Sequence, residues 1–145
     1  MTTPLLYMDT SALLKRYVLE PQTLQVNSFF EQHAPITISR LVLLELRCAL
    51  ARRVRAQELT SELVAEVLEA VRLDIADGTL LIVKMQDASV DAASSMIETM
   101  PQYALRGMDA LHLGLAQHSG ASTFITNDQL QADVARALGL KTITF

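Results

Sequence analysis

The chain has 145 residues, half of them hydrophobic, and its 12 basic and 16 acidic side chains leave a net charge of −4. That size suits one domain, residues 1–145, with a core of its own, and the acidic balance argues against a generic nucleic-acid binder, which is usually basic. The single cysteine, Cys48, excludes an intrachain disulfide, and His33, His112 and His118 are too scattered for zinc spacing. No apolar run long enough to span a bilayer and no signal-peptide pattern is found, so a cytoplasmic protein with no membrane partner is expected.

In chain order, residues 5–8 predict a strand and residues 12–19 a helix. A second helix is predicted over 23–33, then a short β-branched strand over 36–38 after Pro35. Residues 41–55 form a strongly apolar helix, and 61–75 carry apolar residues at amphipathic-helix spacing, ended by Gly78 in a left-handed conformation. A strand over 80–83 and a helix over 89–99 follow. Pro101 and Gly107 bracket a loop before a helix over 108–118. The chain closes with a strand over 123–126, a helix over 130–138 and a strand over 142–145. Strands separated by helices imply parallel crossovers, hence an α/β sandwich with helices on both faces of the sheet.

Certain acids stand out from this pattern. Asp9 stops the first apolar run and is followed by Thr10 and Ser11. It can cap the next helix, or it can line a crevice beyond the carboxyl ends of the strands, where such folds place their ligands. Glu45 lies on a helix whose neighbours three and four residues away, Leu41, Val42, Cys48 and Ala49, offer no cation. A carboxylate there needs a distant arginine, a raised pKa or a metal ion. Asp109 opens a helix, where the dipole favours an acid. Arg106 and His112, three residues to either side, can orient it, although His112 also suits the core. Asp128 with Gln131 matches a capping box.

The joint placement of the four acids is harder to explain by caps. Asp9 and Asp128 follow two strand ends, and Glu45 and Asp109 sit on helices entering from the same edge. Four carboxylates in one crevice require a cation, and hard oxygen donors suit Mg²⁺ or Mn²⁺ and nuclease chemistry. Nucleotide-cradling glycine motifs and a G-x-S-x-G elbow are absent. A haloacid-dehalogenase type of phosphohydrolase wants a second aspartate two residues after the first, and Ser11 stands there. The basic residues cluster locally, with Arg40, Arg47, Arg52, Arg53 and Arg55 in one short region.

The segments YMDTSALLKRY, SRLVLLEL, LRGMDALHLGLA and FITNDQL, in this order and at these spacings, resemble the PIN-domain family and its VapC-type toxins of toxin–antitoxin pairs. The resemblance implies a five-stranded parallel sheet of order 3-2-1-4-5. It places the family's acidic positions on Asp9, Glu45, Asp109 and Asp128 and its hydroxyl on Ser11. It further implies Mg²⁺- or Mn²⁺-dependent cleavage of RNA, a homodimer and a cognate antitoxin. Arg106 and the basic residues of 40–55, Arg40 and Arg47 among them, are then candidates for contact with RNA phosphates. A module that binds RNA or captures antitoxin without turnover is the rival expectation.

Overall fold

The computed structural model describes residues 3–145. Among these residues five strands alternate with seven helices. The chain runs through β1 (Leu6–Met8), α1 (Thr10–Tyr17), α2 (Thr23–His33), β2 (Ile36–Ser39), α3 (Arg40–Arg55) and α4 (Ser61–Ala76). It continues with β3 (Leu80–Val83), α5 (Asp87–Thr99), α6 (Gly107–His118), β4 (Thr123–Ile125), α7 (Gln129–Ala137) and β5 (Lys141–Ile143). All strand pairs are parallel and the sheet order is β3-β2-β1-β4-β5, as the resemblance implied.

Strand alternation builds two cores, one on each face. Met8, Ile36, Ile38 and Ile125 point to one side and bury Leu13, Phe30, Val42, Leu46 and Leu50. Tyr7 and Phe124, their neighbours along the strands, point to the other and bury Leu113, Leu115 and Val134. Helices α1 to α4 therefore cover one face and α5 to α7 the other, a three-layer sandwich. Among the described residues no helix is long and apolar enough to cross a membrane.

Several boundaries depart from the expected ones. Helix α1 starts at Thr10, two residues early, because Asp9 itself caps it by accepting the Ala12 amide. Helix α5 starts at Asp87 rather than 89, and β5 at Lys141 rather than 142, in register with Thr123 of β4. Gly78, at φ +84°, ends α4 in the left-handed turn expected of it.

Candidate active site

Strands β1 and β4 lie side by side, with Met8 paired to Ile125. The residues that follow them therefore leave the sheet together, and the Asp9 amide donates to Ile125 O at 3.0 Å. Beyond these strand ends lies a cleft of about 340 Å³. Its walls carry Asp9, Glu45, Asp109 and Asp128, with Thr10, Ser11, Ala49, Arg52, Arg106, His112 and Gln131. All four acids singled out in the sequence meet here, drawn from four different segments.

Asp9 has both of the roles open to it. It is 1% exposed. One oxygen, Oδ1, accepts from the Ala12 amide at 3.1 Å and from Ser11 Oγ at 2.7 Å. The other, Oδ2, accepts from Thr126 Oγ1. Burial pushes its pKa above the ordinary aspartate range, and the hydrogen bonds from Thr126 and Ser11 work against that rise. Ser11 Oγ also accepts the Asn127 amide at 2.9 Å, fastening the start of α1 to the loop after β4.

Glu45 has no cation on its own helix, as expected, and finds its partners elsewhere. Thr10 Oγ1 donates to Oε1 at 2.9 Å, and His112 Nε2, on α6, pairs with the same oxygen. Burial works to raise the Glu45 pKa, but the His112 contact, with help from Thr10 and the Arg52 charge, holds it below the usual range. His112 is buried, with its other ring nitrogen 2.9 Å from Tyr7 Oη. It is thus a satisfied core histidine that serves Glu45; the orienting hydrogen bond on Asp109 comes from Gln131 instead.

Asp109 sits in the first turn of α6. Burial and the nearby charge of Asp128 push its pKa up, against the influence of Arg106. Gln131 Nε2 reaches its Oδ1 at 3.4 Å. Asp128 caps α7, its Oδ1 accepting the Gln131 amide at 2.9 Å. The reciprocal half of the expected capping box does not form. The Asp128 amide donates to Thr126 Oγ1 at 2.9 Å, and the Gln131 side chain turns to Asp109.

Of the candidate arginines, Arg106 lines the cleft, whereas Arg40 and Arg47 are exposed on α3 and do not. Arg52 stands on the wall instead. Glu45, Ala49 and Arg52 recur at helical spacing on one face of α3, a signal available from position counting alone. Thr126 and Thr10 carried no such signal, since each acts through a partner distant in sequence.

The cleft's donor set fits a hard divalent cation. Four carboxylates face two guanidinium groups, and burial together with the Asp128 charge already raises the Asp109 pKa. Among the described residues, Glu45 Oε2 and Asp128 Oδ2 accept no hydrogen bond. Oxygen-only donors of this kind suit Mg²⁺ or Mn²⁺. The match is one of chemistry: among the described residues no three His, Cys, Asp or Glu side chains are already drawn up around a common point.

The PIN domain family profile matches residues 6–137; the chain belongs to that family. No curated protein matches it in sequence. Its fold is similar to that of FitAcB from Neisseria gonorrhoeae, with TM-score 0.72, 14% identity, and 96% of each chain covered. VapC20 of Mycobacterium tuberculosis, a sarcin–ricin loop cleaving toxin, gives TM-score 0.71 at 14% identity over 89% of this chain and 94% of that one. VapBC2 from Rickettsia felis, bound to a DNA fragment from its promoter, gives 0.66 at 17% over 97% and 99%.

Proposed function

We propose that this chain is a metal-dependent endoribonuclease, the toxin of a VapBC-type toxin–antitoxin pair. The observation that carries the reading is the meeting of Asp9, Glu45, Asp109 and Asp128 in one cleft, with Arg52 and Arg106 on its walls. These four side chains would hold Mg²⁺ or Mn²⁺. When bound, such an ion supplies Lewis acidity at a phosphodiester and makes water a stronger nucleophile.

The chain's own residues do the rest. Ser11 and Thr126 hold the Asp9 carboxylate from two sides. Thr10 and His112 hold Glu45. Arg52 and Arg106 flank the acids and bind the RNA backbone as charge-assisted donors. Water attacks phosphorus in line and the 3′ oxygen leaves, giving a 5′-phosphate and a 3′-hydroxyl. An antitoxin partner, a homodimer and a cytoplasmic location belong to the same reading, supported by the likeness of the fold to toxins of VapBC pairs.

Thermal unfolding in EDTA and then Mn²⁺, for the wild type and Asp109→Asn, tests the site before any RNA target is known. An ion at about 100 times its Kd adds roughly 2.7 kcal/mol, about 5–10 °C for a domain of this size. The wild type should show that rise and the variant should not. Mn²⁺-stimulated RNA cleavage, lost in Asp9→Asn, then completes the assignment. No rise in either protein and no cleavage would favour a module that only binds RNA or antitoxin.

A further inference from the structure

We propose that His112 is a positioning residue for Glu45, set in place by Tyr7 and Ser39 from within the core. The inference rests on the reading of Glu45 as a ligand of the metal. Three buried side chains form the device. Ser39 Oγ lies 2.9 Å from Tyr7 Oη, and Tyr7 Oη lies 2.9 Å from His112 Nδ1. His112 Nε2 completes the line at Glu45 Oε1.

With the ring neutral, one order of donors runs along the line. A carboxylate only accepts, so Nε2 carries the proton that faces Glu45. In the neutral ring Nδ1 is then an acceptor, filled by the Tyr7 hydroxyl, whose oxygen in turn accepts from Ser39. An ordinary phenol is protonated at neutral pH, so Tyr7 has a proton to donate. The tyrosine ring has little freedom to move. It stacks on Phe124 with centroids 5.7 Å apart and planes 11° apart, and meets His112 edge-on at 6.1 Å.

Glu45 is a long side chain, and ordering such a chain has a rotamer cost. Thr10 from α1 and His112 from α6 both donate to Oε1, so the carboxylate is pinned from two elements. Oε2 is left with no donor among the described residues, available to an ion. A histidine anchored on one nitrogen and presenting the other to a ligating group resembles, in logic, the outer partners that tune metal ligands elsewhere. Here the order is reversed, since the carboxylate is the ligand and the imidazole the support.

Two isosteres separate this role from a merely structural one. His112→Gln keeps a donor where Nε2 stands and loses the Nδ1 acceptor; His112→Asn does the opposite. Mn²⁺ affinity of the RNA-free protein is measured by calorimetric titration, with unfolding in EDTA as the control for folding. His112→Gln, which also loses the Tyr7 anchor, should bind about tenfold more weakly than the wild type, and His112→Asn, which loses the donor to Glu45, about 100-fold more weakly. Tyr7→Phe keeps the stacked ring and should weaken binding about tenfold. The two His112 variants should lose similar stability in EDTA. Equal Mn²⁺ affinity in the Gln and Asn variants, with Glu45→Gln clearly weaker, overturns the positioning role and leaves the metal reading standing. Wild-type affinity in Tyr7→Phe removes Tyr7 from the device. A wild type that binds Mn²⁺ no better than Glu45→Gln overturns the metal reading, and the positioning role with it.

Discussion

Ser11 Oγ donates to Asp9 Oδ1 at 2.7 Å and, at the same time, accepts the Asn127 amide at 2.9 Å. One hydroxyl thus orients the most buried acid of the cleft and ties the first turn of α1 to the loop after β4. Ser11→Ala leaves the Asn127 amide without that acceptor and Asp9 with one donor fewer. It should cost about 1–3 kcal/mol of stability, read from urea unfolding. Cleavage should fall more than the folded fraction does. An unchanged urea midpoint would show that water replaces the hydroxyl without loss.

In Asp109→Asn the amide oxygen can still accept from Gln131, while the repulsion from Asp128 disappears. The metal-free variant should therefore be more stable than the metal-free wild type, by up to about 1 kcal/mol at low salt. The difference should shrink as ionic strength rises. With Mn²⁺ present the order should reverse. Melting curves in EDTA at two salt concentrations, then in Mn²⁺, check all three statements.

Arg52 and Arg106 line the cleft, while Arg40 and Arg47 point elsewhere on the surface of α3. In an Asp9→Asn background, which should bind RNA without cutting it, Arg52→Ala and Arg106→Ala should each reduce the slope of log Kd against log salt by about one. Arg40→Ala and Arg47→Ala should leave the slope as it is. A change confined to the second pair would move the RNA path away from the acids.

Gly114 faces α5 where α6 packs against it. A Cβ built there would stand 2.6 Å from Ser89 O and 3.2 Å from Ala93 N, both backbone atoms. Backbone yields less easily than a flexible side chain, so the helices must separate. Gly114→Ala should destabilise by about 1–3 kcal/mol and carry Asp109 and His112 outward with α6. Melting temperature and Mn²⁺ affinity should fall together.

Glu20 is held away from the cleft by Lys15 Nζ at 2.6 Å and by Arg53. Burial works to raise its pKa, but these two cations outweigh it and bring it below the usual glutamate range. A lowered native pKa stabilises the fold above the unfolded value, about 4.3, and that stabilisation is lost as pH falls through the lower native one. Glu20→Gln should thus lose about 0.5–1 kcal/mol at neutral pH. It should match the wild type once the wild-type Glu20 carboxyl is protonated in both the folded and the unfolded state. Urea unfolding of both proteins at neutral and acid pH measures the gap.

The layering of the fold was readable from strands that alternate with helices, and the acids from their places at strand ends and on apolar helices. The order of the strands was not, because pairing of β1 with β4 joins segments separated by most of the chain; only the family resemblance supplied it. The same distance hid the partners of Glu45. His112 lies 67 residues away, and helical spacing pointed it at Asp109 instead. Gln131 fitted a local capping box, and the local pattern lost to a contact across the cleft. Arg52 was legible in principle, since its spacing from Glu45 places both on one face of α3. The run of arginines around it blurred that signal.

Asp9 and the Thr126 hydroxyl that grips it are 117 residues apart in the chain. During synthesis Asp9 leaves the ribosome well before the segments that complete its surroundings. Until β4 emerges, β1 lacks its inner neighbour, Asp9 lacks one of its donors, and neither Asp109 nor Asp128 can stand opposite it. Under the nuclease reading, incomplete chains are harmless to the RNA around them, including the message still being translated. Under the same reading, the order of the strands in the sheet withholds activity until β4 and the residues after it have joined β1.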